Sequence, residues 1–116
     1  PSRDATEKAL ANTRHAVCAI RNGECVGCGR VMGDGALVFY IQDIMVHPDH
    51  QRLGIGSRIM DALMAYIDRT AAPAAFIALF AAPVVVAWFE RYGFVQRPDG
   101  NKGPGMVLIE RPSCPI

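Results

Sequence analysis

Ile44-Met45-Val46-His47-Pro48-Asp49-His50-Gln51-Arg52-Leu53-Gly54-Ile55-Gly56-Ser57 is the stretch on which the reading of this chain turns. It starts as an apolar run, breaks at His47-Pro48, and places two glycines where an amphipathic pattern begins. That order reads as a buried strand, a short turn and a helix start. The spacing predicts a helix from about Gly54 to Arg69. Ile55, Ile59, Met60, Leu63, Met64 and Ile67 recur at helical spacing, while Arg58, Asp61 and Asp68 lie elsewhere on the wheel. A helix N-terminus offers unpaired N–H groups and a partial positive charge, which suits a phosphate or pyrophosphate. Gly54 and Gly56 lack a Cβ, so an anion can come close to the backbone, and Arg52 and Arg58 add charge at the rim. No Gly-Lys-Ser/Thr ending makes this a P-loop, and the third glycine of the dinucleotide fingerprint is missing. On spacing alone, a phosphate cradle and a plain strand-to-helix turn both stand.

Around this stretch the chain reads as mixed α/β, a single domain over residues 1–116. Residues 2–13 form a short helix with Ser2 as cap, Asp4 in its first turn, and Ala5, Ala9 and Leu10 on one face. Ala16 to Arg21 is a strand, Asn22-Gly23 a hairpin turn, and Cys25 to Met32 the returning strand. Gly33-Asp34-Gly35 turns the chain into a longer strand, Leu37 to Val46, rich in β-branched and aromatic residues. Beyond the helix, Ala74 to Phe80 reads as a buried strand. Pro83 opens a second helix that Gly93 closes, with Phe94 packing back. A loop from Arg97 to Gly105 leads to a last strand, Met106 to Glu110.

The charge balance, 12 basic against 11 acidic residues, gives no general reason to expect nucleic acid or an anionic membrane as partner. Ala71 to Phe89 carries no charge, but Pro73 and Pro83 interrupt it, so a strand followed by a helix is the better parse than a bilayer span. With a polar stretch directly after Pro1 and no leader-like segment, the expectation is a soluble, cytoplasmic protein. Cys18, Cys25, Cys28 and Cys114 are then expected as free thiols, the first three as small apolar side chains in strands. Cys25 and Cys28 have zinc-knuckle spacing without a second pair of ligands, and no metal is expected. His47 and His50 are expected as solvated rim residues, and Trp88 as core or interface.

Three segments carry a family resemblance. Gln51-Arg52-Leu53-Gly54-Ile55-Gly56 resembles the Q/R-x-x-G-x-G/A signature of the GNAT superfamily of acetyl-CoA-dependent N-acetyltransferases. Trp88-Phe89-Glu90-Arg91-Tyr92-Gly93-Phe94 is similar to the F-Y-E-K-x-G-F helix end of these enzymes. Cys25 to Gly35 looks like their glycine-rich hairpin. The three occur in family order and span most of the chain. The resemblance implies a splayed mixed sheet, a GNAT-like fold that is short at its N-terminal end. Acetyl-CoA would lie between the strand ending near Val46 and the strand ending near Phe80. By the same analogy, backbone amides of Gln51, Arg52, Leu53, Gly54, Ile55, Gly56 and Ser57 hold its pyrophosphate. Main-chain groups of Ile44, Met45 and Val46 pair with its pantetheine arm. The helix with Phe89 and Tyr92 closes over the thioester.

The implied activity is acetyl transfer to a primary amine, an EC 2.3.1 type reaction. The amine, small-molecule or protein-borne, attacks directly in a ternary complex. Such an amine has a pKa near 10.4 and must lose a proton first. Relatives use a strand glutamate as base and a helix tyrosine as acid, and here those places hold Gln42 and Phe89. Asp43 and Tyr40 are the nearest titratable replacements on the strand, and Tyr92 is the candidate acid one turn on. Strand alternation keeps Gln42 and Asp43 on opposite faces unless a bulge intervenes. These departures motivate an alternative, a non-catalytic acyl-CoA-binding or sensor domain. A purely structural interaction module leaves the glycine loop without a role. The short front also leaves a strand edge for a second copy to cover, so a homodimer is expected.

Overall fold

The structure, a computed structural model, describes residues 1–109 and divides into two compact units, Pro1–Phe80 and a second beginning at Ala81. In the first unit the order is α1 (Arg3–Ala11), β1 (His15–Arg21), β2 (Glu24–Gly33), β3 (Val38–Val46), a 3-10 turn (Pro48–His50), α2 (Ile55–Thr70) and β4 (Phe76–Leu79). The strands form one sheet in the order β1-β2-β3-β4. The first three are antiparallel, and β4 runs parallel to β3, with α2 as the crossover that a parallel pair requires.

Local chemistry accounts for the hairpin. Asn22 and Gly23 both take positive φ, 53° and 79°, which a tight two-residue turn matching strand twist demands. Helix α2 lies across β1, β2 and β3 and supplies Ile59, Met60, Leu63 and Ile67 to the core, against Val31, Phe39 and Ile41 of the sheet. The alternating glycines of β2 make room for it. A Cβ on Gly29 would stand 2.9 Å from both Ile59 Cγ2 and Leu63 Cδ1, too close to accept without a shift. Further along, the His15 ring stacks on Tyr66 with centroids 4.5 Å apart.

One expectation is met and three need correcting. Helix α1 forms as expected, with Ser2 as its cap and Asp4 in its first turn, and none of its residues is buried. The strand expected from Ala74 to Phe80 shortens to four residues and is only partly covered, because among the described residues β4 is an edge strand paired with β3 alone. Residues 106–109 are not strand, and Glu110 lies outside the described residues. Cys18 and Cys25, expected as free thiols, are joined by a disulfide. The hairpin and a bulge at Ala19/Ile20 bring their Cα atoms to 6.1 Å, within bridging range. Cys28 stays free, and Cys114 lies outside the described residues.

In the second unit the helix expected at Pro83 begins as a 3-10 turn, Pro83–Val85, and continues as α3, Val86–Glu90. Gly93, at φ 94°, ends it with an N–H bond to the Glu90 carbonyl. Phe89 is buried and makes edge contacts with Trp88 and Phe94. No described helix is long and apolar enough to cross a membrane.

Candidate functional site

Strand β3 has different partners along its length. Its pairing with β4 stops at Ile41↔Leu79, whereas its pairing with β2 continues to Val46↔Gly27. From Gln42 to Val46, therefore, one edge of β3 has no strand beside it among the described residues. An extended ligand bearing amides can pair with such an edge as an added strand would.

A bulge lies where β4 leaves. Arg30 pairs with Gln42 and Cys28 with Met45, so Gly29 alone faces both Asp43 and Ile44. Asp43 takes the extra residue in a left-handed conformation, φ 60°, which costs a side-chain-bearing residue roughly 1–2 kcal/mol. The bulge also resets the alternation of faces. Phe39 and Ile41 are buried under α2, yet after the bulge it is Ile44 that reaches the α2 side of Gly29, and Met45 is exposed. Gln42 and Asp43 consequently share the face away from α2. The bulge that would allow both to face one way is present.

On that open face the Asp43 carboxylate is already held. Its Oδ2 accepts from Arg30 Nε at 2.6 Å, with the arginine side chain 16% and the aspartate 41% exposed. A second guanidinium nitrogen of Arg30 donates to Thr13 Oγ1 at 3.1 Å, and the Cys28 thiol donates to the Asp43 carbonyl at 3.4 Å. Tyr40 is on the same face of β3, before the bulge, its ring 6.0 Å from that of Phe80. Sequence reasoning missed Arg30 as a site residue. It lay in plain view in the glycine-rich hairpin, but its pairing with Asp43 follows only from the bulged register.

The loop after β3 is tied down at its start. The His47 N–H donates to the Val26 carbonyl at 2.7 Å, and His47 Nδ1 accepts from the Asp49 N–H at 3.1 Å. Both histidines lie in this turn, their rings 5.7 Å apart, and His50 Nδ1 is buried without a partner among the described residues. Gln51 Nε2 donates to the Val46 carbonyl at 3.0 Å. Arg52 and Gly54 then both take left-handed backbone, φ 65° and 79°, curling the chain into the start of α2. That start has no side-chain cap and no acidic residue in its first turn. The partial positive charge of this start and the approach that its two glycines leave open suit an outside anion, and the residues fit a coenzyme pyrophosphate. Of the other candidates, Phe89 and Tyr92 belong to the second unit. There the Tyr92 N–H donates to the Phe89 carbonyl at 2.9 Å and its ring lies 5.4 Å from Trp88.

Comparison with known proteins bears on this geometry. A family model described as an acetyltransferase (GNAT) domain matches residues 12–96. The chain is similar to an uncharacterized N-acetyltransferase, ycf52, of Pyropia yezoensis, at 37% identity over 82 residues, 71% of this chain and 46% of that protein. It is also similar to the chloroplastic serotonin N-acetyltransferase 2 of Oryza sativa subsp. japonica, at 36% over 81 residues, 70% of this chain and 40% of that protein. Among solved structures, a protein of unknown function and probable acetyltransferase from meticillin-resistant Staphylococcus aureus superposes with a TM-score of 0.85. It is 31% identical and covers 95% of this chain and 81% of its own. The chain spans less than half the length of these two curated relatives.

Proposed function

The chain belongs to the GNAT acetyltransferase family, and from that premise we propose that it transfers an acetyl group from acetyl-CoA to a primary amine by direct attack in a ternary complex. The observation that carries this reading is the uncapped, acid-free, glycine-led start of α2, directly after a strand whose edge has lost its neighbour. In this reading the amides from Gln51 to Ser57 hold the pyrophosphate, and the free edge of β3 at Ile44, Met45 and Val46 holds the pantetheine arm. The family resemblance assigns Phe89 to its thioester end. Bound acetyl-CoA supplies the activated acyl group. Asp43, through water, takes the proton that a primary amine must lose near neutral pH, with Tyr40 beside it on the open face. A backbone N–H at Ile44 or Val46 faces the carbonyl oxygen as it gains charge. A thiolate leaves tolerably well without a dedicated acid, and the family resemblance makes Tyr92 the candidate for returning its proton. We read residues 1–116 as one acetyltransferase domain.

Calorimetry with CoA tests the cradle. Gly56→Glu, which sets a carboxylate in the first turn of α2, is expected to weaken binding about tenfold or more. A well-folded wild-type protein that leaves saturating CoA unbound would sink the reading. Release of free thiol from acetyl-CoA, followed with a panel of amines, tests transfer. An arylethylamine belongs in that panel because the Oryza relative is named for serotonin. A second reading, a non-catalytic acyl-CoA-binding domain, draws on one observation: Arg30 already occupies one oxygen of Asp43. Binding of CoA without thiol release across the panel would favour it. The expected cytoplasmic setting sits poorly with the Cys18–Cys25 bridge, since cytosolic thiols are generally kept reduced.

A further inference from the structure

We propose that Arg30 is a positioning residue of the acceptor site, fixing the Asp43 carboxylate and acting on the reaction only through it. This inference rests on the acetyltransferase reading above. Asp43 stands at the one point of β3 where an extra residue and a positive φ take the backbone out of the regular ladder. Something other than strand pairing must hold it there, and β2 supplies that hold twice. The Cys28 thiol takes the Asp43 carbonyl, and the Arg30 guanidinium takes Oδ2 of its carboxylate.

Arg30 itself is not free to swing away. With its side chain only 16% exposed, the guanidinium needs partners in place of water. Its second partner, Thr13 Oγ1, is pinned in turn because the hydroxyl donates to the Ala9 carbonyl at 2.9 Å. The planar fork is therefore fixed at two points, Thr13 and Asp43, a geometry that the single ammonium of a lysine does not reproduce. An exposed surface ion pair would carry no such argument. This one is largely covered on the arginine side, and among the described residues Oδ1 of Asp43 has no hydrogen-bond partner, which leaves it for the incoming amine.

A double-mutant cycle on the full chain tests the proposal. Arg30→Met is expected to lower kcat/KM for the amine about tenfold while KM for acetyl-CoA moves less than about twofold. Arg30→Lys, which keeps the charge without the fork, is expected to fall between Met and wild type. In an Asp43→Asn background, Arg30→Met is expected to cost no more than about a further twofold, because its partner is already impaired. If its effect multiplies fully in that background, or if the single variant stays within twofold of wild type, the proposal is overturned. Should Arg30→Met not fold, Arg30→Lys carries the same comparison with a smaller drop.

A substrate-free readout separates this inference from the one beneath it. The NMR coupling between the Asp43 amide and α protons reports φ, and it is expected to leave its left-handed value in Arg30→Met and keep it in Arg30→Lys. Wild-type protein that acetylates no amine would count against the acetyltransferase reading. An unchanged Asp43 coupling in Arg30→Met would count against this one.

Discussion

At the scale of single residues, the turn between β2 and β3 is held by side-chain hydrogen bonds of Asp34 and Arg14. Asp34 Oδ1 accepts from the N–H groups of Ala36, Leu37 and Val38 at 2.8, 2.7 and 3.0 Å, while Arg14 donates to the carbonyls of Gly33 and Asp34. Those three amides, Val38 foremost, hold the Asp34 carboxyl below its ordinary range; slight burial opposes them and Arg14 adds to them. A carboxylate with a depressed folded-state pKa stabilises the fold above its unfolded pKa, and loses that contribution as pH falls through the folded value. Wild type is therefore expected to resist urea better than Asp34→Ala above about pH 4, with the gap closing at lower pH. A gap that stays constant down to pH 2 would show that the charge contributes nothing. Gly33 beside it is required on other grounds. At φ 138°, an added Cβ would lie 1.9 Å from the Val38 carbonyl oxygen. Gly33→Ala is expected to cost about 2 kcal/mol or more in urea unfolding. The turn itself could be read from Gly-Asp-Gly, but the triple acceptance by Asp34 could not, since it depends on how the next three amides curl.

At the scale of elements, α2 and its bed in β2 hold the first unit together. Leu63 is fully buried where the helix crosses Gly29, so Leu63→Ala is expected to cost about 2–5 kcal/mol, measured by denaturant unfolding. The hairpin carries a separate contribution. Reducing the Cys18–Cys25 bridge, which closes a loop of sequence separation 7, is expected to cost about 2 kcal/mol on chain-entropy grounds. An unchanged melting temperature under reductant would contradict that. These two elements differ in how openly the sequence declares them. Helix α2 is visible because Ile55, Ile59, Leu63 and Ile67 recur at its own period. The bridge is hidden because pairing Cys18 with Cys25 rather than Cys28 depends on the bulge at Ala19/Ile20, which no local pattern announces. Strand β4 was overestimated for a related reason: an apolar run looks the same whether it is central or at an edge.

At the scale of the whole molecule, the sheet ends in β1, whose outer edge is unpaired among the described residues. Sedimentation at micromolar concentration is expected to show a dimer in which a second copy covers such an edge; a monomer alone would refute that. The candidate site was legible where chemistry is carried by the backbone, as in the glycines that open α2. It was less so where chemistry depends on register, as with Arg30 and Asp43, which lie 13 residues apart. The added residue in β3 has a further consequence. The strand runs in two phases, one fitted to the core before Asp43 and the other after it. Deleting that one residue would merge them without turning a side chain over, since Ile41 inward, Gln42 outward, Ile44 inward and Met45 outward already alternate once Asp43 is gone. The core therefore has no need of the extra residue, and losing it would cost the strand a carboxylate and a kink while leaving every apolar side chain on its own side.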